Sequence, residues 1–197
     1  MGGAFTAMTD DPAACAFYNP ATLAQIKGSS LSTAATIYSK SEIDYDNQDD
    51  FESATLRVNR GSIKPIPSAG GTVHSFGNFA FSLSIVLPDF QTYTGNIESI
   101  DSGGVEVTSY LNSRDASLWV GGGIALNTSP TSSWGLTLYY TSRTFSRSVT
   151  DFKTEAGGST ATTEEKELTH NSLVYILGYD KTWGNIRAGL SHRFVSL

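Results

Sequence analysis

The sequence predicts an all-β chain whose strands build an antiparallel transmembrane β-barrel, and three observations carry that prediction. Period-two alternation dominates the chain after residue 28. In the clearest alternating runs one face is large and apolar while the other is small or polar. The connections between runs alternate between long and short, the pattern of a barrel with long loops at one end and tight turns at the other.

Taken in order, the first candidate strands are Leu31 to Lys40 and Ala54 to about Ser75, the second interrupted at Lys64-Pro65-Ile66-Pro67. The third runs from Phe79 to about Tyr93. Within its NFAFSLSIVLP stretch, Phe79, Phe81, Leu83, Ile85 and Leu87 oppose Ala80, Ser82, Ser84 and Val86. The fourth, SLWVGGGIALN, sets Leu118, Val120, Ile124 and Leu126 against Gly121, Gly123, Ala125 and Asn127. The fifth, SWGLTLYYTSR, sets Trp134, Leu136, Leu138 and Tyr140 against Gly135, Thr137, Thr141 and Arg143. Asn171 to Lys181 and Asn185 to Val195 complete the set, with Ile186, Ala188, Leu190 and Phe194 opposing Arg187, Gly189, Ser191 and Arg193. Ionisable side chains on one face exclude a dry core there and suit a wet lumen.

Several runs reach the ~9 to 11 residues that a tilted strand needs to cross a bilayer. SEIDYDNQDDFES, TGNIESIDSGGVEVTS and DFKTEAGGSTATTEEKELTH read as long loops, and Phe76-Gly77-Asn78, NTSPTSS and KTWGN as turns. A soluble sandwich has no reason to sort its connections in this way. Trp119, Trp134, Tyr139, Tyr140, Tyr179 and Trp183 lie near strand ends, where an interfacial girdle would place them, although aromatics favour strands in general. About seven strands are countable. Bacterial single-chain barrels have even strand numbers, so the chain reads as the N-terminal portion of a larger barrel.

Composition narrows the function classes. The net charge of −6 and the absence of a basic stripe argue against a nucleic-acid groove. The lone Cys15 permits no intrachain disulfide, and Asp10-Asp11-Pro12 is the wrong flank for a lipoprotein anchor. Met1-Gly2-Gly3 has neither the basic nor the apolar region of a leader, so the chain is either cytosolic or has lost one. No run of about 18 apolar residues predicts a transmembrane helix.

Ahead of the strands stands GGAFTAMTDDPAACAFYNPATLAQ. Pro20 fixes φ and removes a donor, and it biases Asn19 away from helical geometry. The segment therefore predicts a rigid turn followed by one helical turn with Pro20 at its first position. The stretch resembles the N-terminal hatch of the FadL/TodX-type outer-membrane transporters of long-chain fatty acids and hydrocarbons, Asn19-Pro20-Ala21 matching the NPA motif. Gly3-Ala4-Phe5-Thr6-Ala7 and Asp10-Asp11 match its lead-in. Looser similarity continues through KPIPSAGGTVHSFGNFAFSLSIVLPDF, WVGGGIALNTSPTSSWGLTLYYTSR and GNIRAGLSHRF.

The resemblance implies a 14-stranded barrel in the bacterial outer membrane, of which about seven strands are present. Residues 1–28 would form a hatch and residues 29–197 an incomplete barrel. It implies passive transport by a monomer, without cofactor, of a hydrophobic ligand such as a fatty acid or hydrocarbon, in contact with membrane lipid and lipopolysaccharide. Asn19, Pro20 and Ala21 would be the plug turn. In that family the third strand kinks inward to open a lateral exit. Pro88, which cannot donate a ladder bond, falls in the third strand here and marks either such a gate or the strand's emergence into a loop. Two alternatives stay open: a related barrel that anchors or shuttles secreted proteins, and a soluble lipocalin-like lipid-binding barrel with its apolar face inward.

Other signals lead to no chemistry. The acids Asp44, Asp46, Asp49, Asp50 and Glu52 place Asp49 and Thr55 where a calcium loop needs Gly and Glu. They read as solvated acids, with a weak cation bridge to lipopolysaccharide as the remaining role. His74, His170 and His192 lack ligand spacing, so no metal site is expected. Gly121-Gly122-Gly123 is not a phosphate loop and reads as close packing or a strand kink, Asn127-Thr128-Ser129 reads as a turn, and Thr163 to Glu167 as an exposed loop. No nucleophile motif is present, so no enzyme and no catalytic residue is expected.

Overall fold

In a computed structural model, described for Ala7 and residues 11–37, 41–46, 55–60, 65–100, 103–155 and 157–195, the alternating runs form one antiparallel sheet of ten strands. These are β1 (Ser29–Ile37), β2 (Ser41–Asp46), β3 (Thr55–Arg60), β4 (Pro65–Phe76), β5 (Phe79–Val86), β6 (Phe90–Ile100), β7 (Glu106–Ser129), β8 (Ser132–Glu155), β9 (Gly158–Trp183) and β10 (Ile186–Val195). They make seven traverses of a meander: β1 with β2, β3 with β4, β5 with β6, then β7, β8, β9 and β10. Among the described residues, β1 and β10 do not pair with one another.

Tight turns join the traverses at one end. Gly77 and Gly184 adopt φ of 60° and 56° there, a left-handed conformation that glycine takes without a Cβ penalty. At the other end the sequence-based expectation of long loops is corrected. TGNIESIDSGGVEVTS supplies the end of β6 and the start of β7, paired from Phe90↔Ala116 to Ile100↔Glu106. DFKTEAGGSTATTEEKELTH supplies the ends of β8 and β9, paired out to Glu155↔Gly158. Thr163 to Glu167 is thus strand, and Ser41 to Asp46 forms β2. Polar Thr, Ser and Glu residues there mimic loop composition because β9 is exposed along its whole first half. Asp49, Asp50 and Glu52, Lys64, and the lead-in residues Gly3 to Thr6 and Asp10 lie outside the described residues.

The sheet's two faces invert the arrangement of a water-soluble protein. Phe76, Phe79, Leu126, Trp134, Tyr179 and Leu190 form one row across six strands on the outer face. The rows above it carry Phe81, Ile124, Leu136 and Leu177, then Leu83, Leu138, Tyr175 and Phe194, then Ile85, Val120, Tyr140 and Leu173. These side chains are exposed, Leu83 at 68% and Leu190 at 71%. At ~4.8 Å between strands and ~3.3 Å per residue, the rows cover on the order of 600 Å² of sheet before side-chain relief. A soluble monomer rarely exposes so large a contiguous apolar patch. The inner face, which the N-terminal segment covers, mixes small polar with apolar side chains: Ser82, Ser84, Ser133, Thr137 and Asp180 are buried on it together with Val73, Val86, Val174 and Ile176.

Of the aromatic residues expected in a girdle, Trp134, Tyr140, Tyr179 and Trp183 lie on the outer face, Tyr140 well inside β8 and away from its ends, whereas Tyr139 and Trp119 lie on the inner face. Tyr139 is fully buried on the inner face, where adjacent residues must point oppositely along a strand. Its partner Gly121 leaves it room, since a Cβ there would stand 2.6 Å from the Tyr139 ring. Trp119 packs beside it with ring centroids 5.8 Å apart.

The hairpin replacing the expected loop is directly testable. Ser148 and Glu165 are paired opposite one another, at the ~4.5–5.5 Å Cα spacing that a disulfide spans. A Ser148→Cys/Glu165→Cys pair in a Cys15→Ser background should crosslink under mild oxidation, whereas Ser148→Cys with Lys166→Cys should not. Equal yields of the two crosslinks would mean a loop.

Candidate functional site

The N-terminal segment lies against the inner face of the sheet and touches strands from β1 to β10. Its first element, α1 (Pro12–Tyr18), starts where Asp11 accepts hydrogen bonds from the Ala13 and Ala14 amides at 2.9 and 3.3 Å and Pro12 occupies the first helical position. The Asp11-Pro12 pair is a readable helix start, and α1 is an element that reading these acids as a lead-in and as a flank of Cys15 does not anticipate. Cys15 is buried, and burial pushes its thiol above the usual range.

Asn19 joins α1 to a short 3₁₀ helix, Pro20–Gln25. Its backbone is extended at φ −155° and ψ 97°, as a residue before proline prefers. Its Oδ1 accepts from the Ala21 amide at 3.2 Å, its carbonyl accepts from the Thr22 amide at 3.1 Å and hydroxyl at 2.7 Å, and its Nδ2 donates to the Tyr179 carbonyl at 3.2 Å. One buried side chain therefore caps the 3₁₀ helix and fastens it to β9. The wall returns further bonds: Ser133 Oγ donates to the Ala21 carbonyl at 2.9 Å and Asn127 Nδ2 to the Ala24 carbonyl at 2.8 Å. Gln25 Nε2 donates to Asp180 at 2.9 Å, and Arg187 Nε holds the same carboxylate at 2.9 and 3.1 Å. The predicted plug residues Asn19, Pro20 and Ala21 are thus together and fully buried.

Missing side chains make this seat possible. A Cβ on Gly135 would collide with the Pro20 and Ala21 backbone, one on Gly178 with Asn19 Oδ1, and one on Gly71 would stand 2.8 Å from Ala13 Cα. Register pairs Gly135 with Gly178 under the turn, while Gly71 of β4 lies under Ala13 of α1; the three share no sequence motif. Gly123 completes the floor beside Leu23, consistent with the close-packing role expected of the glycine run.

Above the turn, Arg193 reaches in from β10. Its guanidinium lies 4.5 Å over the Phe17 ring and 5.0 Å over Trp119, and donates to the Phe17 carbonyl at 3.3 Å. Tyr139 meets Ser84 at 2.7 Å within the same cluster. The inner face is thus more densely covered near the hatch than a simple wet lumen would be.

Pro88 lies at a break in the third traverse. Val86 pairs with Trp119 and Phe90 with Ala116, so Leu87, Pro88 and Asp89 bulge opposite Ser117 and Leu118. The Ser117 amide still donates to the Asp89 carbonyl at 2.9 Å. The strand resumes at Phe90 and runs to Ile100, so Pro88 does not mark its emergence into a loop. Toward the second traverse the ladder is interrupted: between Ala69↔Val86 and Asn59↔Thr94 no described residues pair, although Leu87 N–H donates to the Ser68 carbonyl at 2.8 Å. Pro65, Pro67 and Pro88 all fall in this interval, where a residue without an N–H is tolerated.

A cavity of about 610 Å³ lies between the hatch residues Asp11, Ala13 and Phe17 and the break residues Ser68, Leu87 and Pro88. Outside, Leu87 also borders a hollow of about 810 Å³ together with Phe90, Leu118 and Arg114. Among the described residues no group of His, Cys, Asp and Glu could hold a metal ion. No protein-family model, characterised protein or solved structure matches this chain.

Changing Asn19 to Ala removes a cap and a buried bond to β9, and should lower stability by about 1–3 kcal/mol in denaturant titrations. Gly178→Val should unseat the turn at a cost of about 1–3 kcal/mol from overpacking. Its readout is maleimide labelling of Cys15, slow in the parent chain and fast in the variant. Unchanged labelling would show that the seat does not depend on Gly178.

Proposed function

We propose that the chain forms wall and hatch of a bacterial outer-membrane β-barrel that passes hydrophobic molecules, such as long-chain fatty acids or hydrocarbons, by passive diffusion. The inverted sheet supports the membrane setting. From Leu118 to Leu126 the apolar rows of β7 extend about 26 Å along the strand, or about 20 Å across a membrane at ~40° tilt. End side chains bring this near the ~25 Å band of outer-membrane barrels. The row containing Phe76, Phe79, Trp134 and Tyr179 lies beside the tight turns, as an interfacial belt would.

The observation that carries transport is the cavity between hatch and strand break, with Leu87 bordering both it and the outer hollow. In this reading Asn19, Pro20 and Ala21 hold the plug in place while ligand moves past Phe17 and leaves sideways beside Pro88. The seated hatch keeps polar solutes from using the lumen. A lipocalin-like barrel would need its apolar side chains on the enclosed face, the reverse of the arrangement here. The anchor or shuttle reading draws on β7, β8 and β9, which extend well beyond the apolar band. A protein partner retained without any apolar ligand would favour it.

Pro88→Val restores a ladder donor at the bulge. Uptake of a hydrophobic probe into intact cells should fall several-fold, with barrel yield unchanged; uptake at the parental rate with closed pairing would remove the lateral exit. Leu136→Arg, in the middle of the band, should cost about 2–4 kcal/mol of membrane insertion. Thr163→Arg should cost almost nothing in the same lipid-folding titration.

A further inference from the structure

The cavity at the break has one-sided electrostatics. Its wall is mostly Ala, Val, Leu, Pro and aromatic side chain, and the ionisable group of clear charge on it is the Asp11 carboxylate. No lysine or arginine is among its described lining residues. Arg193 is not a lining residue: its guanidinium lies over the rings of Phe17, which lines the cavity, and Trp119, and is engaged by the Phe17 carbonyl. Asp11 cannot swing away freely, because its carboxylate caps α1 and accepts from the Ser32 hydroxyl at 2.5 Å. A ligand entering the cavity therefore meets apolar surface and a fixed negative charge, with no cation among the described lining residues to pair an anionic head.

We propose that Asp11 acts as a charge filter, so that the cavity accepts uncharged apolar molecules and disfavours those bearing a carboxylate. This rests on the transport reading and divides its two ligand classes, favouring hydrocarbons and alcohols over ionised fatty acids. The volume of about 610 Å³ suits a single small ligand. A low-dielectric lining strengthens the repulsion relative to water.

The test uses quenching of Trp119, the inward tryptophan, in the Trp134→Phe/Trp183→Phe protein held in non-ionic detergent at pH 8. The probes are 12-bromododecan-1-ol and 12-bromododecanoate. Micelle partitioning differs between them but cancels when the parent is compared with Asp11→Asn, which keeps the helix cap. The alcohol should bind at least fivefold tighter than the carboxylate. Asp11→Asn should tighten the carboxylate about fivefold and leave the alcohol unchanged, while Ser68→Asp, adding a second acid to the lining, should weaken the carboxylate further. Slow labelling of Cys15 verifies a seated hatch in each variant. Equal or tighter carboxylate binding in the parent, or a ratio unmoved by Asp11→Asn, overturns the filter and leaves transport standing. Quenching by neither probe overturns the transport reading and the filter with it.

Discussion

The contact on which the inner side of the sheet depends is between the Asn19-Pro20-Ala21 turn and the bare backbone at Gly135 and Gly178. The turn buries a run of polar backbone groups, which is costly for any group left without a partner. Asn19 pairs the Ala21 and Thr22 amides, Ser133 of β8 and Asn127 of β7 pair the Ala21 and Ala24 carbonyls, and Asn19 Nδ2 fastens the turn to β9. Close approach is a condition of these bonds: a methyl group at either glycine would push the turn away and leave buried donors and acceptors without partners. The N-terminal segment and the sheet are therefore one packed unit, which also explains why the inner face carries Gly and small Ser and Thr beneath the turn, beside the buried Val73, Val174 and Ile176.

That seat fixes the remaining architecture. With 3₁₀ helix and α1 filling the inner side, Phe17 is held against Trp119, Tyr139 and Arg193, and Asp11 and Ala13 are carried toward β4 and β5. The interruption between the second and third traverses lies opposite them. Three of the chain's six prolines, Pro65, Pro67 and Pro88, fall there; Pro12 and Pro20 open helices and Pro130 lies in a tight turn. Proline is thus placed where the chain can spare an N–H. The cavity lies between the N-terminal segment and this interruption, across which no described residues pair in the ladder.

The outer face is built differently. Its rows of Leu, Ile, Phe, Trp and Tyr continue across β5, β7, β8 and β9, meet Thr72 and His74 on β4 and His192 on β10, and stop where β7, β8 and β9 turn polar on the way to their distal ends. Beyond that boundary the strands are held by ladder bonds and by local pairs such as Arg143 with Asp115 at 2.6 Å. That guanidinium holds the Asp115 carboxyl below its ordinary range, chiefly through the hydrogen bond. On so exposed a pair the contribution to stability is small, and it is lost as pH falls through the lowered value.

What the sequence by itself determined is everything that depends on parity and on proline. Alternation in FAFSLSIV and GLTLYY decides which side chains share a face, and Asn19-Pro20 dictates an extended residue followed by a helical start. The positions of the tight turns were legible for the same reason, since Gly-Asn and Ser-Pro interrupt the period. The polar distal hairpins were not legible, because Thr, Ser and Glu in a two-sided exposed strand carry no apolar period and read as loop. The inward position of Tyr139 and Trp119 follows from the same parity, against the girdle expectation; what the sequence left undetermined is Gly121, which stands across the ladder and makes room for Tyr139. Only the tertiary structure brought Gly135 and Gly178 under one turn and Gly71 under Ala13, and set Asp11 against Pro88. Those juxtapositions depend on strand register between residues more than forty positions apart, and register is a property of the assembled sheet.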